Sequence, residues 1–544
     1  MAAAWRSGST VWGAGAVAVA ALVAAPLLVV VASLRRPAVD VWVHLWRTQL
    51  VELLVNTGAL VAAVGAGTLV LGAGLGWLVV AYGFPGRRLF EWALALPLAL
   101  PAYVIGFAFL GLLDFAGPVQ TALRGLLGES FRLPGLPSGA GVALMMTLVF
   151  YPYVYLLARA AFAEHGLATL EAARTLGRSR ARAFLAVVLP MARPSLTAGA
   201  SLAMMESLAD FGTVSTFGYR TLTEAVFRVW TGMFDRAAAT QIACLLLFFA
   251  LALLAAERAS RGRRRFVQSQ RHGTGVPAAR LRGWRAAAAT GACAAVLGLG
   301  FVVPVVQLAV WAVGATGHGL LAVDYAGAVT SSFLLAGAAA GLIGLLALGL
   351  AYARRMHPTA VVRAATQFAA IGYAVPGAVI ATGVLVAMAG VERALGRATA
   401  ATLGQPADVL LVGSAAGLLF AYAVRFLAVG FQSVDSSLAK IPAAFDEAAR
   451  SLGASVAGTL QRVHLPLLQR GLLTALVLVL VDALKELPAT LLLRPLGLTT
   501  LAIEVWQRTS ESLWAEAALP ALTIVAVGVV PVLLVTRLTA PPAR

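Results

Sequence analysis

Twelve stretches of mainly apolar residues, each long enough to cross a bilayer, recur along the chain, and no other feature narrows its fold so far. A spanning segment must satisfy its own backbone N–H and C=O groups, which a helix of about 20 residues does. The runs lie near 11–34, 54–80, 91–113, 141–163, 194–217 and 238–256, and then near 287–314, 329–352, 365–390, 408–430, 470–493 and 517–537. Composition agrees: the chain is 60% hydrophobic and 12% charged, and its mean hydropathy is +0.88. These values lie far outside the range of globular domains. The expected fold is an all-α membrane protein of about 12 transmembrane helices. The first run exceeds the 7–15 apolar residues, roughly, of a cleavable signal region and reads as an uncleaved helix.

A polar segment is repeated between these runs. Glu171 to Pro190 reads EAARTLGRSRARAFLAVVLP, and Glu447 to Pro466 reads EAARSLGASVAGTLQRVHLP, 276 positions later. Both copies keep Glu-Ala-Ala-Arg, a Gly six residues after the Glu, and Leu-Pro thirteen residues after that Gly. The register extends further. Pro101 and Pro376 are 275 apart, and Glu206, Asp210 and Trp230 fall on Asp482, Glu486 and Trp506 at 276. Such long self-similarity predicts two copies of one architecture. With six helices each, both copies insert the same way up, as parallel repeats. The expected division is 1–256, a basic linker at 257–286, and 287–544.

Charge fixes the expected orientation. With both termini in the cytoplasm, the arginine-rich loops fall on the cytoplasmic side, as the positive-inside rule requires, although Arg35, Arg36 and Arg47 fall opposite. The linker carries nine Arg against one Glu from Glu257 to Arg285 and reads as a cytoplasmic segment that meets anionic headgroups. The net charge of +18 does not indicate nucleic-acid binding, because the arginines sit in short loops rather than on a soluble face. Cys244 and Cys293 lie inside apolar runs with no metal-ligand spacing.

Within each repeat, Glu-Ala-Ala-Arg favours a helix with an acidic first turn, Gly177 and Gly453 end it in a left-handed conformation, and a second short helix runs to Pro190 and Pro466, which redirect the chain into the next span. At these residues the sequence resembles the integral membrane subunits of binding-protein-dependent ABC importers, whose EAA loop docks into a cleft on the ATPase. The resemblance covers nearly the whole chain as two fused permease domains and implies a type I importer permease fold. It implies that Glu171, Ala172, Ala173, Gly177 and Pro190, with Glu447, Ala448, Ala449, Gly453 and Pro466, form two ATPase-coupling elements in loops 164–193 and 431–469. Two copies of a cytoplasmic ABC ATPase and an extracytoplasmic solute-binding protein are the implied partners, in a bacterial inner membrane. The chain's lysines, Lys440 after Ala and Lys485 after Leu, exclude a P-loop of its own. It is expected to bind no cofactor, ATP and Mg being used by the partner.

Cargo is read from Met204 to Trp230, whose ESLADFGTVSTFG block is similar to fused permeases of ferric-iron importers. Glu206 and Asp210, four apart on one expected helix, and their counterparts Asp482 and Glu486 could line a pathway for a hard trivalent cation. Lys485 beside them could instead make the set a structural pairing. Tyr151, Tyr153 and Tyr155 read as an interfacial belt. Iron(III) is the expected cargo, with thiamine, a phosphonate-type compound or a polyamine as alternatives, and a gradient-driven secondary transporter as the reading from another class.

Overall fold

The computed structural model describes residues 2–132, 138–166, 169, 173, 175–261, 279–317, 325–403 and 411–539. Among them are twelve helices long and apolar enough to span a membrane: α1 (Thr10–Arg35), α2 (Leu50–Ala81), α3 (Ala102–Leu127), α4 (Gly139–Glu164), α5 (Phe184–Ala209), α6 (Arg236–Ser260), α7 (Trp284–Ala315), α8 (Tyr325–Met356), α9 (Gly377–Thr402), α10 (Ala415–Leu438), α11 (Val456–Leu484) and α12 (Trp514–Leu534). The only strands among the described residues are two dipeptides, Tyr82–Gly83 and Ala279–Arg280, paired in parallel. They tie the end of the linker to the loop after α2; residues 262–278 of the linker lie outside the described residues.

The chain folds as two compact units, which do not coincide with the two sequence repeats. One comprises Met1–Arg47, Ala225–Phe248 and Val323–Glu504, so its second-repeat core also takes in α1 and the first part of α6. The other comprises Thr48–Glu224, Phe249–Ala322 and Val505–Arg544, so its first-repeat core takes in α7 and α12. The expected boundary at 257–286 therefore marks the repeat in sequence and not the limit of a packing unit. The physical reason is that an apolar helix reads alike whichever core it covers.

Each core is a three-helix packing of α2, α4 and α5, or of α8, α10 and α11. In the first, Gly72 and Gly199 flank Val154 so tightly that a Cβ at Gly72 would sit 2.6 Å from Val154 Cβ, and one at Gly199 2.7 Å from Val154 Cα. In the second the small residue has changed helix: Ala347 and Ala475 replace the glycines, and Gly430 replaces the valine. A Cβ at Gly430 would meet Ile343 Cγ2 at 3.0 Å and Ala347 Cβ at 3.3 Å. The bulk thus moves from the middle helix to its two neighbours, and the close approach of the three helices is kept.

Two expectations need correction. Tyr151 and Tyr155 are fully buried rather than interfacial. Their hydroxyls donate to Leu94 O at 2.8 Å and Glu91 O at 2.9 Å, which satisfies the phenols inside the protein. The runs at 194–217 and 470–493 are not the helices formed; α5 and α11 begin earlier, at Phe184 and Val456, and stop at Ala209 and Leu484.

Candidate functional site

The repeated polar segment folds into the same turn twice. In the second copy a helix over Ala444–Ser451 ends at Gly453, whose φ is +79°. Gly453 N–H donates to Arg450 O (3.1 Å) and Ala454 N–H to Ala449 O (3.0 Å), the paired bonds of a Schellman cap. The first copy closes alike, with Gly177 at φ +81° and Arg178 N–H donating to Ala173 O at 3.1 Å. Glu171 and Ala172 lie outside the described residues. Ala173 and Ala449 are buried, whereas Glu447 and Ala448 face outward. The last Ala of the motif therefore packs inward and supplies the acceptor carbonyl of the cap, and the one before it leaves a smooth outer surface.

The residue before each glycine was not singled out by the sequence reading. Leu176 is 83% exposed and Leu452 87%. They stand 276 apart, each thrust outward by the left-handed turn that follows. Two more matched residues were missed. Ser455 Oγ accepts from Gly458 N–H at 3.1 Å, and Ser179 Oγ accepts from Arg182 N–H at 3.4 Å, so each serine caps the start of the next helix. The signal was present as a Ser two residues after each motif Gly.

The second short helix is not separate, and the prolines do not redirect the chain. Short helices at Arg180–Ala183 and Val456–Thr459 pass through π-turns at Phe184–Val188 and Leu460–His464 directly into Leu189–Ala209 and Leu465–Leu484. Leu189 N–H donates to Phe184 O and Leu465 N–H to Leu460 O, five residues back. Pro190 and Pro466 have no N–H to give, and one extra residue in the turn absorbs the ring without breaking the helix.

The candidate pathway residues sit where α5 and α11 end. Asp210 is already extended, at φ −71° and ψ 129°, so Glu206 and Asp210 do not share one helix face as expected. Asp210 accepts from Thr213 N–H (2.8 Å), Thr213 Oγ (3.0 Å) and Val214 N–H (3.4 Å), and so starts the short helix Gly212–Thr216. Glu486, its counterpart, accepts from Ala489 N–H (2.9 Å), Thr490 N–H (2.9 Å) and Thr490 Oγ (2.8 Å) at the start of Pro488–Leu493. A carboxylate that captures backbone donors ahead of it ends one helix and begins another.

The remaining charges differ between the copies. Lys485 pairs with Asp482 at 2.8 Å. Glu486 lies 3.8 Å from the guanidinium of Arg425 on α10, which the sequence reading missed. At the matching place in α4 stands Val149. Among the described residues no three His, Cys, Asp or Glu side chains gather as metal ligands.

Residues 68–264, which span the first turn and the first helix break, match the family described as the binding-protein-dependent transport system inner membrane component. Over these residues the chain is similar to the inner membrane permease components of this family. Its likeness to an Fe(3+)-transport system permease protein of Haemophilus influenzae runs further, at 26% identity over 91% of each chain. A sulfate transport system permease protein of Salmonella typhimurium is 33% identical over 32% of this chain and 62% of its own length. A molybdenum transport system permease protein of Escherichia coli is 33% identical over 25% and 57%. The two shorter matches, of 178 and 138 residues, are each less than one repeat long, and the ferric one extends over both repeats.

Proposed function

We propose that this permease is the translocation subunit of an ABC importer that passes iron(III) from an extracytoplasmic binding protein to the cytoplasm. The observation that carries the proposal is the duplicated turn: two left-handed glycine turns, each presenting an exposed leucine, offer two like docking elements to two copies of a cytoplasmic ATPase. Closure of the ATPases on ATP would rock the helices that continue from those elements, α5 and α11, and alternate access to the pathway. Loops 164–193 and 431–469 then lie in the cytoplasm, as do both termini. ATP and Mg belong to the partner, and this chain binds no cofactor of its own.

Iron(III) is favoured because the ferric relative matches nearly the full length. Asp210 and Glu486 hold the two helix breaks in this reading, while Glu206 and Asp482, one turn earlier, and Lys485 remain for the pathway. The decisive experiment reconstitutes the complex and measures ATP hydrolysis with the binding protein loaded with different solutes. Ferric ion is expected to stimulate hydrolysis and drive uptake that persists with ion gradients collapsed. Stimulation by sulfate or molybdate instead would reassign the cargo, and uptake that collapses with the gradient would replace the ABC reading.

A further inference from the structure

The two docking turns are anchored by different chemistry. In the second copy, Arg355, the penultimate residue of the 32-residue helix α8, reaches across to the turn. Its Nε donates to Asp446 Oδ2 at 2.9 Å, its Nη1 to Leu438 O at 2.7 Å and its Nη2 to Ile441 O at 3.0 Å. Asp446 Oδ1 lies 2.7 Å from Nε2 of His464, the last residue of the π-turn. The histidine side chain is fully buried, and those of Arg355 and Asp446 are 14% and 13% exposed. Tyr352 closes the cluster, its ring edge-on to His464 and its hydroxyl donating to Val456 O at 2.6 Å. One carboxylate thus bridges three elements: the end of α8, the docking helix and the π-turn that opens α11.

The first copy has none of these charges. The helices α2 and α8 are both 32 residues long and 275 apart, which places Val80 opposite Arg355. Leu170 and Val188 stand opposite Asp446 and His464 at 276. Val80 and Val188 are buried together with Ala173, Ala183 and Phe162 in one apolar cluster. All three polar positions change together to aliphatic ones.

We infer that Arg355, Asp446 and His464 are positioning residues that latch the second docking helix to α8 and α11, doing with polar contacts what Val80 and Val188 do by apolar packing. The inference rests on the reading of these turns as coupling elements. Removing one member of a buried ionic set strands the others, whereas replacing the whole set with aliphatic residues of similar shape is tolerated. Asp446→Asn leaves Arg355 and His464 without their carboxylate, so the helix itself loses its bridge to both neighbours and only the bonds of Arg355 to the carbonyls before it remain. The triple variant Arg355→Val, Asp446→Leu, His464→Val installs the first copy's own solution.

The test measures solute taken up per ATP hydrolysed by the reconstituted complex. Asp446→Asn is expected to lower this ratio at least tenfold while hydrolysis changes less than twofold, and the triple variant to return it to within twofold of the parent. A parental ratio in Asp446→Asn, or a triple variant that assembles with the ATPase yet stays uncoupled, overturns the latch. If Asp446→Asn does not accumulate, the triple variant decides alone by the same ratio. A control separates this from failure of the underlying reading. Leu176→Ala with Leu452→Ala must also uncouple; if it does while Asp446→Asn does not, only the latch falls, and if it does not, the coupling assignment itself falls.

Discussion

Arg425 is the residue on which charge weighs most. It lies within α10, buried to 12% exposure beside a Glu486 side chain exposed to 1%, and its Nε and Nη1 find no hydrogen-bond acceptor. Gly377 makes the approach possible, since a Cβ there would stand 2.4 Å from Arg425 Nη1 and 2.7 Å from Glu486 Oε1. Breaking a buried pair on one side typically costs about 3–5 kcal/mol, while replacing both partners is often neutral. Arg425→Met is therefore expected to lower thermal stability in detergent strongly, and Arg425→Met with Glu486→Gln to recover most of it. Additive losses in that double-mutant cycle would deny the coupling. The sequence displayed Glu486 through its repeat partner Asp210 but not Arg425, because a repeat search finds what both copies share and Val149 breaks the match. A lone arginine inside an apolar run was the available signal. Leu176 and Leu452 were hidden for the opposite reason: in a chain that is 60% hydrophobic, an outward leucine looks like every other one.

At the scale of elements, the turn after Glu-Ala-Ala-Arg was readable and its continuation was not. Gly177 and Gly453 adopt the left-handed conformation that ends a helix, as their position demanded. Leu-Pro looked like a corner because proline removes a helical donor; the chain instead inserts a residue at Phe184–Val188 and Leu460–His464 and carries on. Likewise, the runs taken as single spans conceal breaks at Asp210 and Glu486, where side-chain oxygens outcompete the helix for its own N–H groups. Hydropathy cannot register either event, since neither changes the apolar count. The π-turns have a consequence for coupling. Pro190→Ala with Pro466→Ala restores two backbone donors, allowing each π-turn to close as ordinary α-helix. Taking the extra residue of each turn into regular α-helix rotates the segment before it by about 100° relative to its span. The double variant is expected to keep its fold and its ATPase but to lose most of its uptake per ATP hydrolysed, and an unchanged ratio would show that the extra residue has no part in coupling.

At the scale of the molecule, the repeat gave the number of copies and missed the exchange of segments. Each compact unit needs helices from both halves: α1 packs with α8 and α9, while α7 and α12 pack with one another and with α3. Within the first unit, Gln241 on α6 also ties the two first-repeat segments to each other. It accepts from Trp42 Nε1 at 2.5 Å and donates to Arg36 O at 2.9 Å, fixing the chain after α1. A half expressed alone would leave its core uncovered and its outer helices without their partners, and transmembrane helices associate through such packing and hydrogen bonding rather than through hydrophobicity. Cutting the chain between residues 262 and 278 therefore distinguishes this arrangement from two self-sufficient domains. Each fragment alone is expected to accumulate poorly in the membrane. Co-expressed, the fragments should accumulate together and co-purify through a tag on either one, because unit completion requires both. Stable accumulation of a single half would mean that its six helices satisfy one another without the exchange.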